Sequence, residues 1–220
     1  MTAQDRFPRL PERGWGYDPA QVDDFLDRVG AVMAATGPVS PPEDATGPSS
    51  PSDDAAAPVS GDGTVRHVGS RQVRERVFDR ARQGYDPAAV DAHLDELEDE
   101  LFARECRAFV AEHGVQRWNE HVELLGQQLL GRLNRPRTQR FRRPEKHRTV
   151  GYSVADVDVL CDSLMEHLRA SPDVDPRLLR DAVFRPAQGQ RCYEEQQVDA
   201  FLDRAVEFVL AVRTENRRRA

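Results

Sequence analysis

Apolar positions along the chain recur at helical spacing in several runs. Val22, Phe25, Leu26 and Val29 follow the i, i+3, i+4, i+7 rule of an amphipathic helix. Leu94, Leu97 and Leu101 continue a second run that starts at Pro87 and extends towards Glu112. Trp118, Val122, Leu125 and Leu129 mark a third, ending near Leu133, and Gly114 is a natural stop between the two. Further helices are expected from about Val154 to Leu168 and from Glu194 to about Arg213. Helices over 87–112 and 118–133 are expected to form an antiparallel hairpin.

Four of these helices open on one repeated pattern. Gly16-Tyr17-Asp18-Pro19 leads into Val22-Asp23 and Asp27, and Gly84-Tyr85-Asp86-Pro87 into Val90-Asp91 and Asp95. Gly151-Tyr152-Ser153 leads into Val157-Asp158 and Asp162. Tyr193-Glu194 leads into Val198-Asp199 and Asp203, without a glycine before the tyrosine. Such self-similarity governs the reading of the fold. Asp18, Asp86 and Ser153 are good N-caps, and Pro19 and Pro87 fall at the first helical position, where a missing N–H costs nothing. Tyr17/Val22, Tyr85/Val90, Tyr152/Val157 and Tyr193/Val198 stand at hydrophobic-staple spacing. Glu194 is a poorer cap.

With its upstream Phe and Arg, the pattern Gly-Tyr-Asp-Pro-x-x-Val-Asp-x-x-Leu-Asp resembles the DivIVA domain, most fully in the first two copies. Four patches, about half the chain, carry the likeness. DivIVA proteins are bacterial cell-division and polar-growth scaffolds with a small membrane-binding dimeric domain and a long coiled coil. A multi-copy chain is more similar to the DivIVA-domain repeat proteins of actinobacteria. The resemblance implies a non-enzymatic scaffold or adaptor at the septum or pole. Its partners would be other division or polarity proteins, self-association through helix faces, or an anionic membrane surface. The family's Phe-Arg directly before Gly-Tyr is absent; the nearest equivalents are Arg13 with Trp15 and Arg148 with Val150.

The second and fourth copies have a fuller lead-in than the first and third. Ser70 is expected to cap a short helix carrying Val73-Arg74 and Val77-Phe78. Asp175 should cap another carrying Leu179-Arg180 and Val183-Phe184, with Val174 and Leu179 as its staple. The order short, full, short, full implies a two-unit duplication. Residues 36–64 hold six prolines, five acids and no basic residue, a composition that predicts a disordered linker. The fold expected is therefore all-α: tandem loop-plus-helix repeats with an inserted helical hairpin and this linker. Its segments are a first repeat over 1–35, the linker over 36–64, and a second repeat with a long helix over 65–112. The hairpin's second helix follows over 113–134, then a basic loop with a third repeat over 135–170 and a fourth repeat over 171–220.

Charge alters the picture locally. The net charge of −7 over 220 residues argues against general nucleic-acid affinity. Yet 132–148 carries eight basic residues against Glu145 alone, so the rival reading is a nucleic-acid binder using this segment. The start has no apolar signal core, no stretch approaches a membrane span, and Cys106, Cys161 and Cys192 fit a reducing cytosol. A cytoplasmic protein is expected.

No nucleophile–base pair, phosphate loop or metal-ligand spacing stands out, so no catalytic residue, cofactor, metal or small-molecule substrate is expected. His93 falls where other copies have Leu or Phe, and reads as a partly buried substitute. The paired aspartates one helical turn apart repel, so each pair calls for a cationic partner. Arg13, Arg82, Arg148 and Arg191, each just before a tyrosine, are the expected ones. Candidate membrane or partner contacts are Arg13, Trp15, Arg137, Arg140, Phe141, Arg142, Arg143 and Arg148, with Phe141 packed inward as the plain alternative.

Overall fold

The computed structural model describes residues 5–34, 68–171 and 173–219. The expected linker over 36–64 lies outside the described residues. The chain divides into two compact units, Met1–His113 and Gly114–Ala220. Each holds two copies of the motif, and the fold is mostly helical.

In the first unit β1 (Trp15–Tyr17) leads directly into α1 (Pro19–Ala34). After the undescribed stretch come α2 (Ser70–Arg74), β2 (Arg80–Arg82) and α3 (Pro87–His113). Asp18 Oδ1 accepts from Ala20 N at 2.9 Å and Asp86 Oδ1 from Ala88 N at 3.2 Å, the first-turn bonds expected of an N-cap aspartate. Val22, Phe25, Leu26 and Val29 are buried with Val73, Phe78, Tyr85, Val90, Leu94 and Leu101 in one core. Ser70 begins α2 rather than capping it. Its N–H and hydroxyl both bond the buried Glu105 carboxylate, at 2.7 and 2.6 Å, while Arg74 reaches Glu98 at 2.7 Å. These polar ties fix the short α2 against α3 where a five-residue helix would not hold alone.

The second unit repeats the plan behind an added helix, α4 (Val115–Leu133). Then follow β3 (Val150–Ser153), α5 (Val154–Ala170), α6 (Arg177–Arg180), β4 (Pro186–Gln188), a 3-10 turn over Gly189–Arg191, β5 (Cys192–Tyr193) and α7 (Glu195–Arg219). Ser153 Oγ accepts from Asp156 N, and Asp175 Oδ1 from Arg177 N at 3.0 Å. Val174 and Leu179 are both buried, as the staple requires. Within this unit α4 has α7 as its neighbour. A Cβ on Gly126 would stand 3.0 Å from the Phe208 ring, and His121 lies 3.2 Å from the buried Glu207 carboxylate. The division at Gly114 thus gives α4, expected as a hairpin's second arm, to the unit that contains α7.

Short strands are the main addition to an all-α expectation. β1 pairs antiparallel with β2, Gly16 opposite Ala81, and β3 lies between β4 and β5, Tyr152 opposite Tyr193. Each strand joins one motif copy to the other copy of its own unit. Tyr17 N donates to Tyr85 O at 3.0 Å and Tyr85 N returns to Tyr17 O at 2.9 Å. Such close crossing needs glycine: a Cβ on Gly16 would stand 2.1 Å from Tyr85 O, and one on Gly151 2.2 Å from Tyr193 O. Strands of two to four residues carry no period-two pattern, so alternation along the sequence does not announce them.

Candidate functional site

The motif's polar residues meet at the crossing, where tyrosines reach helices of the other copy. Tyr85 Oη donates to Asp23 Oδ2 at 3.1 Å, and Tyr17 Oη to Asp91 Oδ2 at 3.4 Å. In the second unit Tyr193 Oη donates to Asp158 Oδ1 at 3.1 Å, and Tyr152 bonds Asp199. The Tyr17 ring also lies 5.5 Å from Phe78, and Tyr152 lies 5.0 Å from Phe184. The repeated tyrosine therefore clasps two copies together, beyond the packing on its own helix that staple spacing predicts.

The cationic partners of two aspartate pairs, Asp23/Asp27 and Asp158/Asp162, differ from those expected. Arg6 meets Asp23 and Asp27, and its backbone N–H donates to Tyr85 Oη at 3.3 Å. Arg140 does the same in the second unit: it meets Asp158 and Asp162, and its N–H donates to Tyr193 Oη at 3.3 Å. Phe7 and Phe141 then set their rings edge-on to those tyrosines, at 5.4 and 5.3 Å. Phe7 also contacts half-buried His93, and Phe141 contacts Phe201 at the matching helix position, so His93 is the substitute it was expected to be. Arg82 is not on an aspartate pair but lies over the Trp15 ring at 5.4 Å. Arg13, Arg148 and Arg191 are exposed. Arginines just before a tyrosine sit on or beside the crossing strands, which carry them away from the helix their motif begins. The signal for the true partners was the dipeptide Arg6-Phe7 and Arg140-Phe141, upstream of Tyr17 and Tyr152.

Burial sets the electrostatics. Tyr193 is fully buried, and burial pushes its hydroxyl up to about 12. Burial raises the Asp162 carboxyl, but hydrogen bonds from Arg140 and Arg137 outweigh it and hold the group below its ordinary value. Burial likewise drives the Cys161 thiol up to about 12, a protonated and unreactive state. Cys106, Cys161 and Cys192 are buried and stand outside any disulfide. Among the described residues no group of three or more His, Cys, Asp or Glu is placed to hold a metal ion.

The candidate contact residues separate into two groups. Arg140 and Phe141 are buried at 6% and 5% exposure and belong to the clasp, which removes them from any contact surface. Arg137 is bound to Asp162, and Arg143 donates to Thr138 O at 2.8 Å. Arg142 is exposed, 4.0 Å from Glu194. Trp15 and Val150 occupy the same position before Gly16 and Gly151, and each is half exposed, at 52% and 50%. Val77 and Val183, each just before the lead-in phenylalanine, are exposed at 80% and 91%. No helix of the described residues is long and apolar enough to cross a membrane. Compared with family models, curated proteins and solved structures, the chain matches none.

Proposed function

We propose that this chain is a non-enzymatic scaffold or adaptor of the DivIVA-domain kind, tied to cell division or polar growth at the inner face of the membrane. One observation carries the reading: two motif copies cross within each unit, so a pairing that the family makes between chains is made inside one. The motif tyrosines, aspartates and Arg-Phe dipeptides act as structure, and apolar residues stand exposed at matching positions of both units. Trp15 and Val150, each beside an exposed arginine, are the residues assigned to an anionic membrane surface. The nucleic-acid reading of 132–148 is weaker, because Arg140 of that run is buried in the clasp and the chain carries a net charge of −7.

Fluorescence localisation in the native cell tests the role, with septal or polar foci expected and a diffuse or nucleoid signal against it. Sedimentation with anionic vesicles tests the surface. Trp15→Ser with Val150→Ser should reduce binding at least several-fold with helix content unchanged, and binding should weaken as salt rises. Wild-type protein that ignores anionic vesicles at low salt removes the membrane contact and leaves a soluble adaptor.

A further inference from the structure

A cleft of about 770 Å³ lies in the second unit where α5 begins, between its first turn and β4. Arg137, Arg143, Arg185 and Arg191 stand around it, and Val159 and Pro186 contribute to its apolar floor. Val159 is 58% exposed, an apolar side chain left in water on a helix whose other valines, Val154 and Val157, are buried. The Asp158 carboxylate also lines the cleft, but Thr138 N, Tyr193 Oη and Arg140 already satisfy it. Arg185 is held, not loose: its backbone N–H, Nε and Nη2 all donate to Asp156.

The first unit has the same backbone tie with the opposite charge. There Asp79 stands where Arg185 does, and Gln21 where Asp156 does. Asp79 N donates to Gln21 Oε1 at 3.0 Å, and Gln21 Nε2 donates back to Asp79 Oδ2 at 2.7 Å. Asp24 takes the place of Val159 and Asp18 that of Ser153, while Gln190-Arg191 is a two-residue insertion without a counterpart. The first unit also has Arg9 where the second has Arg143 and Arg80 where the second has Pro186, so one location carries mixed charge in one unit and is basic with an apolar floor in the other. The tie itself does not require arginine.

We propose that this cleft binds an extended acidic peptide segment of a partner protein, one in which carboxylates alternate with small apolar side chains. Arg191 is exposed, and Arg137 and Arg143 keep guanidinium N–H groups beyond those given to Asp162 and Thr138, so carboxylates find donors here, and the apolar floor gives a hydrophobic side chain somewhere to leave water. A bare anion would leave that floor unused, and a flat lipid surface would not enter the recess. The inference deepens the adaptor reading, on which it rests, by giving one partner's chemistry.

The test uses the full chain and a short fluorescein-labelled peptide of alternating glutamate and valine, read by anisotropy. The unit-one tie is transplanted as Asp156→Gln with Arg185→Asp, and Arg191→Ser is added. Because the first unit already folds around a Gln–Asp tie, the thermal midpoint should hold while peptide affinity falls ~tenfold or more. Wild-type binding should weaken with salt, and Val159→Asp alone should also reduce it. Equal binding by the triple variant and the wild type would overturn the site. So would wild-type protein that binds inorganic phosphate or anionic vesicles there and no peptide. Septal localisation of a chain that binds no acidic peptide would sink this site and leave the adaptor reading standing. Peptide binding by a chain diffuse in the cell would do the reverse.

Discussion

Arg6 and Arg140 make the same contacts in different surroundings, and the difference decides their worth. The Arg140 side chain is 7% exposed and ties Asp158 and Asp162, whereas that of Arg6 is 43% exposed. Removing one partner of a buried pair strands the other charge, so Arg140→Ala should cost about 3–5 kcal/mol in urea unfolding. Arg6→Ala should cost only ~0–1 kcal/mol, as exposed pairs do. Arg140→Lys should not restore stability, because a lysine lacks the planar fork that spans two carboxylates. The Tyr193 hydroxyl supplies a pH dependence at the same place. Its folded value is raised from 10.0 to about 12, so its contribution is complete below the unfolded value and is lost as pH rises through about 12. Stability measured against alkaline pH should fall in that window, and Tyr193→Phe should flatten the fall.

Among the elements, the crossing strands are the most sensitive to a single atom. Gly16→Ala would put a methyl 2.1 Å from Tyr85 O, and Gly151→Ala one 2.2 Å from Tyr193 O, backbone atoms that have no room to yield. Each substitution should destabilise its unit by more than about 3 kcal/mol in chemical denaturation, well beyond an ordinary overpacking cost. Gly30→Ala, in the open on α1, should be neutral or slightly stabilising, since nothing lies within 4 Å of the added carbon. Equal effects at Gly16 and Gly30 would mean that the strands do not cross as described. The positive φ of Gln83, 53°, and of Gly189, 58°, marks the same turn in both units. Gln83→Gly is expected to stabilise, for glycine reaches this region without strain.

At the scale of the molecule, each unit contains the two copies that complete its own clasp. Residues 1–113 and 114–220, expressed separately, should each retain cooperative unfolding and the helix content of their share of the chain, read by circular dichroism. A half that unfolds when alone would show that the pairing of copies is not sufficient for a stable core. Deleting Trp118–Leu133 from the second half should take His121 away from the buried Glu207 carboxylate, uncover the Phe208 face, and lower its stability sharply.

Helix positions and most caps were legible in the residues, because 3.6-residue periodicity and N-cap chemistry are local properties. So was the need of Asp23/Asp27 and Asp158/Asp162 for a cation, since like charges one turn apart repel wherever the helix goes. Which cation answers was not legible. Arg6 reaches Asp23 across 17 residues and Arg140 reaches Asp158 across 18, and only the path of the intervening loop selects them over the nearer Arg13 and Arg148. The tyrosines read as staples for their own helices, yet their hydroxyls end on the other copy's aspartates, up to 74 residues away. Local sequence decides how each helix begins. The crossing of two backbones at Gly16 and Gly84 decides which charges meet, because that contact exists only when distant segments are folded together.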